Sequence, residues 1–177
     1  MKKIHFAVLF ILAICLTAVA QQDKSKRPSP AEQAQCKFSD GKTITVDYSS
    51  PRMKGRKIFG DLVPYGQVWR TGANDATTFV TTAALTLAGK DVPAGNYTIF
   101  TVPDKDKWTL IISKHTGEWG IPYKYESEEL GRVPMSVSSA GSPVENFTIS
   151  FDQSGSACIL KMSWENTQAS VNISEKK

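Results

Sequence analysis

Lys42-Thr-Ile-Thr-Val-Asp-Tyr48 alternates polar and apolar side chains with a period of two, so that Ile44, Val46 and Tyr48 share one face. That period is the signature of a half-buried β-strand. The pattern recurs along the chain. Residues 76–82 are rich in β-branched side chains, and residues 96–102 place Tyr97, Ile99 and Thr101 on one side with Thr98, Phe100 and Val102 on the other. Residues 108–113, 147–151, 158–164 and 169–173 complete the set. Turn formers separate these runs: Pro93-Ala94-Gly95, Pro103-Asp104, Pro143 and Ser154-Gly155. One short helix near residues 125–130 is the only helical expectation, with Glu126, Glu128 and Glu129 on its wet side. Short strands, frequent turns and no internal repeat predict an all-β domain, an antiparallel β-sandwich of jelly-roll type, with a closed barrel as the alternative.

Upstream of the strands, the chain opens on Met1-Lys2-Lys3, continues through an apolar run of eleven residues from Phe6 to Leu16 and reaches Ala18-Val19-Ala20. A positive start, a short apolar stretch and small residues at alternate positions predict a secretory signal peptide over residues 1–20. The run is too short to span a bilayer, which takes roughly 20 residues, and the mature chain holds no comparable stretch. Ile14 precedes Cys15, unlike the small residue expected before a lipidated cysteine, so a lipid anchor is disfavoured. Residues 21–33, polar and carrying Pro28 and Pro30, read as a flexible leader. Residues 34–177 are then one domain, exported to the periplasm or the medium, and the short Lys-Lys signal points to a bacterial source.

Loss of the signal removes two of the 21 basic residues against 17 acidic ones, leaving a net charge of only +2. The strongest basic cluster is Arg52, Lys54, Arg56 and Lys57, a solvated loop or a weak anion site but no nucleic-acid face. Two mature cysteines remain, Cys36 and Cys158. In an exported chain such a pair suggests a disulfide closing a loop of about 120 residues, which would stabilise the fold by roughly 4 to 5 kcal/mol; two separate buried thiols are the competing reading.

Elimination removes most chemistry. His115 is the only histidine after residue 20 and sits in the polar turn Ser113-Lys114-His115-Thr116-Gly117. A zinc site of the usual kind wants more histidines, and a Ser-His-Asp triad would come with a nucleophile elbow that is missing. Neither Gly-x-Gly-x-x-Gly nor a Walker sequence occurs. No metal and no cofactor are expected. Carboxylate chemistry survives because it needs only two acids at the right separation; Asp47, Asp75, Glu118 and Glu165 are the candidates, with ordinary surface charge as the alternative for each. Asn96, Asn146 and Asn172 lie in glycosylation sequons that matter only in a eukaryotic secretory route.

The best candidate site is Val68-Trp69-Arg70-Thr71-Gly72-Ala73-Asn74-Asp75. Trp69 offers an apolar platform, Arg70 a planar donor fork, and Asn74 with Asp75 both donors and acceptors. Trp119, in Gly117-Glu-Trp-Gly120, could supply a second stacking surface. Trp108 and Trp164 lie in strands and are expected in the core. Core packing also competes for Trp69 and Trp119, and a structural ion pair of Arg70 with Asp75 or Asp61 competes with ligand binding.

The segments Lys54-Gly-Arg-Lys-Ile-Phe-Gly60, Leu62-Val-Pro-Tyr-Gly66, Val68-Trp-Arg-Thr-Gly-Ala-Asn74, Val92-Pro-Ala-Gly-Asn-Tyr97 and Trp108-Thr-Leu-Ile-Ile112 together resemble an exported bacterial family catalogued as domain of unknown function 2911. Trp164-Glu165-Asn166 fits as well, and the resemblance covers residues from about Pro28 to Ile173. It implies a secreted or periplasmic β-rich domain and carries no catalytic assignment. The function expected is a non-enzymatic module binding a small polar ligand, a glycan or a partner protein. A hydrolase of envelope or extracellular carbohydrate and a purely structural module are the alternatives.

Overall fold

The computed structural model describes residues 27–154 and 156–176 of the 177-residue chain. The expected signal peptide and residues 21–26 of the expected leader lie outside the described residues. Nine strands follow in chain order: β1 (Ala31–Lys37), β2 (Thr43–Ser49), β3 (Thr77–Thr81), β4 (Leu85–Leu87), β5 (Lys90–Val92), β6 (Gly95–Val102), β7 (Lys107–Ser113), β8 (Glu129–Ser154) and β9 (Ala157–Glu175). Ala31 to Gln33, expected in the leader, form the first half of β1, paired with Asp47 to Ser49 of β2. The expected helix is reduced to one 3-10 turn over Glu126–Glu128, and Glu129 already belongs to β8.

All pairings are antiparallel, and the strands form one sheet in the order β1-β2-β3-β6-β7-β8-β9-β4-β5. β2 keeps its expected phase: Ile44, Val46 and Tyr48 are buried and Asp47 is exposed. β9 joins two runs that the sequence separates, and its inward residues change phase midway. Cys158, Leu160, Met162 and Trp164 are buried, and then Ala169, Val171 and Ile173. The switch coincides with register shifts between β8 and β9 around Val144 and with a positive φ of 54° at Glu165. Such irregularities absorb an odd residue and bend a ladder.

The bend folds the sheet over on itself. β1 and β9 are far apart in strand order, yet the Cys36–Cys158 disulfide joins them. Ser50 Oγ donates to the Phe147 carbonyl at 2.7 Å, and Gln153 Nε2 to the Lys37 carbonyl at 3.0 Å. The apolar faces thus meet around one core, an arrangement compatible with the expected sandwich. A second, smaller cluster forms on the opposite face of β6 and β7, where Phe100 and Ile111 are covered by Tyr123 and Tyr125 from the connection to β8. No helix among the described residues is long and apolar enough to cross a membrane.

Candidate functional site

Residues 50–76 connect β2 to β3 and carry the candidate loop. The Trp69 N–H donates to the Thr101 carbonyl at 2.7 Å and the Trp69 carbonyl accepts from the Thr101 N–H at 3.0 Å, so the loop docks onto β6 beyond the stretch paired with β3. Thr71, fully buried, shares a 3.1 Å hydroxyl contact with Thr101, and its carbonyl accepts from Thr77 Oγ1 at 2.7 Å. Gly72 is required sterically. Its φ is +154°, and a Cβ there would lie 2.9 Å from the Ser49 carbonyl oxygen, backbone that cannot swing aside.

The Trp69 ring points inward. It stacks on Trp164 at 5.9 Å between centroids and meets Phe147, Phe59 and Trp108 edge-on at 4.9, 6.2 and 6.3 Å. Its Nε1–H donates to the Gly72 carbonyl at 3.1 Å, closing the loop on itself. Such edge and offset geometries suit aromatic quadrupoles and add to the area buried. Trp108 and Trp164 lie in the core as expected.

Arg70 does neither of the things expected of a loop-pinning ion pair. Asp61 and Asp75 make no ion pair with it; instead Nη1 donates to the Asn74 carbonyl at 2.5 Å and to the Trp119 carbonyl at 3.2 Å. The guanidinium carbon lies 4.9 Å from the centroid of the Trp119 ring, a cation–π arrangement. Burial lowers the Arg70 pKa from its ordinary value, and the negative charge of Asp75 partly opposes this. Asp75 itself pairs with Arg27 at 3.4 Å, while Asn74 Nδ2 donates to the Ser29 carbonyl at 3.0 Å. The residues just before β1 therefore form one wall of the site.

Trp119 is 57% exposed. The next residue sets its position: Gly120 has φ +88°, and a Cβ there would sit 2.9 Å from Ala76 Cβ and 3.0 Å from the Phe100 ring. Only glycine lets this segment lie so close against β6.

Trp69, Arg70 and Asn74 line an open hollow of about 450 Å³, together with Leu62, Val68, Ile121 and Arg56. Asp75 and Trp119 do not line it, although Arg70 covers the Trp119 ring. Arg56 also belongs to a neighbouring hollow with Arg52 and Lys54, so three members of the expected anion patch are contiguous with the site; Lys57 lies outside both. These arginines are held by carbonyls. Arg56 donates to Met53 O at 3.0 Å and Arg52 O at 2.6 Å, and Arg52 to Ser50 O at 3.0 Å. Leu62 and Ile121 were not legible as site residues, since nothing in a sequence distinguishes an exposed aliphatic side chain from a core one.

Of the four candidate carboxylates, Asp47 and Asp75 line another hollow with Glu32, and Glu118 and Glu165 do not line it. Glu165 accepts a long 3.5 Å contact from the Phe59 N–H, and both Glu118 carboxylate oxygens are buried without a hydrogen-bond partner among the described residues. His115 stacks on Tyr125 at 4.7 Å, and its backbone N–H donates to Ser113 Oγ at 3.1 Å. No cluster of three or more His, Cys, Asp or Glu suited to a metal ion occurs among the described residues.

Fold and site together define an all-β, disulfide-bridged domain with an arginine-lined hollow. The chain belongs to the family described as protein of unknown function DUF2911, whose model matches residues 29–173. No curated protein and no solved structure gives a significant match.

Proposed function

We propose that this protein is a non-enzymatic binding domain, exported to an oxidising compartment, which takes a small polar ligand, a glycan or a group on a partner protein in the hollow beside the 69–75 loop. The observation that carries this reading is the conjunction of charge and exposed apolar surface at one place. Leu62, Tyr65, Trp119 and Ile121 are the exposed large hydrophobic residues of the described chain. Leu62 and Ile121 line the hollow, Tyr65 follows its Pro64 wall, and Trp119 lies under Arg70. An apolar lining with a few fixed polar groups is the usual composition of a ligand site. The Cys36–Cys158 bridge and the signal-like residues 1–20 support export.

Titrating the isotopically labelled protein with a panel of sugars, amino acids and small organic acids tests this. Amide shifts clustered at residues 69–75 and 119–121 are expected for at least one compound. A complete absence of such a cluster would refute the reading. A carbohydrate hydrolase is the second reading, favoured by Asp47 and Asp75 lining one hollow. It requires turnover of a glycan that disappears in Asp75→Asn, and no turnover across a broad glycan panel would end it. The structural reading draws on the inward Trp69 ring and on Arg70 holding two carbonyls. Under it, Arg70→Ala unfolds the loop and the panel stays silent.

A further inference from the structure

A guanidinium carries five N–H donors in a rigid plane. In Arg70 both Nη1 hydrogens are committed, to the carbonyls of Asn74 and Trp119. Nε and Nη2 have no hydrogen-bond partner among the described residues, and Arg70 takes part in no ion pair there. That remaining edge presents two parallel N–H groups, the geometry that matches the two oxygens of a carboxylate. The face of the guanidinium is covered by the Trp119 ring. Two backbone carbonyls and one indole therefore fix the plane before any ligand arrives, and its charge is partly withdrawn from water, while Asp75, whose negative charge acts on it, is engaged by Arg27.

We propose that Arg70 is the carboxylate anchor of the hollow, and that the ligand is a small organic acid whose apolar body rests against Leu62 and Ile121. This rests on the reading of the hollow as a binding site and names the ligand class. Charge complementarity supports it, because Arg56 lines the same hollow, is held by the Met53 and Arg52 carbonyls, and makes no ion pair among the described residues. Size supports it too. A hollow of about 450 Å³ falls in the lower part of the range that small-molecule sites occupy, roughly 300 to 1,000 Å³. A carboxylate bonded edge-on to Arg70 would supply the counter-ion that no described residue does, and its hydrocarbon portion would cover the aliphatic rim.

The test compares phenylacetate with its neutral twin phenylacetamide and with phenyl phosphate, binding to the whole protein being followed by amide shifts. Phenylacetate should bind roughly tenfold or more tightly than the amide, the worth of a charge-assisted pair, with shifts centred on Arg70 and residues 119–121. Arg70→Lys keeps the charge and can still reach a carbonyl but has no fork, so it should lose about the same factor while its circular dichroism and melting temperature stay near those of the wild type. Equal binding of phenylacetamide at the same amides would leave the binding site standing and overturn the anchor. Tighter binding of phenyl phosphate would overturn the carboxylate assignment, and unchanged affinity in Arg70→Lys would overturn the fork. If neither phenylacetate nor phenylacetamide moves these amides while a neutral sugar does, only the anchor falls. Silence from every compound removes the hollow as a site altogether.

Discussion

Beneath the 69–75 loop, Trp69, Trp164, Trp108, Phe59 and Phe147 interlock with centroid separations of 4.9 to 6.3 Å, whereas beside it Trp119 leaves 57% of its surface exposed and meets a guanidinium. The two tryptophans that flank glycines in the sequence thus have opposite fates. One is a floor that fixes where Arg70 emerges; the other is a rim that a folded protein does not need for its core. The difference teaches that residue type within a motif does not assign a role. What assigns it is which strand the backbone docks against, here the two hydrogen bonds between Trp69 and Thr101.

The contrast can be broken most severely at the bridge that holds the folded-over sheet closed behind the floor. Replacing Cys36 and Cys158 together by alanine releases a loop spanning 122 residues and should cost roughly 4 to 5 kcal/mol of unfolding free energy in the chain-entropy account. Denaturant titration measures this, and a loss below about 1 kcal/mol would mean that the core alone closes the sheet. Trp164→Ala removes the ring on which Trp69 stacks and should cost about 3 to 5 kcal/mol. Trp119→Ala should change stability by no more than about 0.5 kcal/mol while weakening ligand binding. Equal costs at Trp164 and Trp119 would abolish the distinction between floor and rim. Between these extremes lies Gly72→Ala, where a left-sided φ and a 2.9 Å approach to Ser49 O predict a loss of more than about 1 kcal/mol.

Period-two patterning made the inward face of β2 legible because that strand alternates cleanly, whereas β6 and β7 are buried on both faces and alternation alone could not say which side met the main core. β8 was not legible upstream of Phe147. Pro143 reads as a turn former, yet it lies within one 26-residue strand, where the ladder to β9 shifts register between Ser139 and Val144. In β9 the phase change between Trp164 and Ala169 imitated a loop. The site was legible as a chemical cluster, since Trp69, Arg70 and Asn74 do line one hollow. Its walls were not, because Leu62, Ile121 and Ser29 come from separate segments that only the folded sheet brings together. The inward turn of the Trp69 ring also had no local signal, being set by Phe59, Phe147 and Trp164.

A further small effect concerns the support of the rim rather than the rim itself. Tyr123, which covers Phe100, donates its hydroxyl to Glu129 at 2.6 Å, and Arg132 grips the same carboxylate through two contacts of 2.8 Å. Arg132 holds the Glu129 carboxyl below its ordinary value of 4.5, with the Tyr123 hydroxyl adding to this against the opposing effect of burial. Burial, and then the neighbouring carboxylate, push the Tyr123 phenol above its ordinary value of 10.0. A depressed acid contributes stability that is present above its unfolded pKa and is lost as pH falls through its folded one. A raised phenol contributes stability that is present below its unfolded pKa and is lost as pH rises through its folded one. The cluster should therefore hold residues 114–128 over the outer face between about pH 4.5 and pH 10, and the stability difference between wild type and Glu129→Gln should be flat across that window and shrink on its acid side. Because the Arg132 side chain is 45% exposed, solvent screening keeps the plateau below about 1 kcal/mol. Melting curves of both proteins from pH 3 to pH 8 measure it. A difference that grew toward low pH would show that Glu129 is a burden on the folded state and that the aromatic contacts of Tyr123 alone hold the segment carrying Trp119.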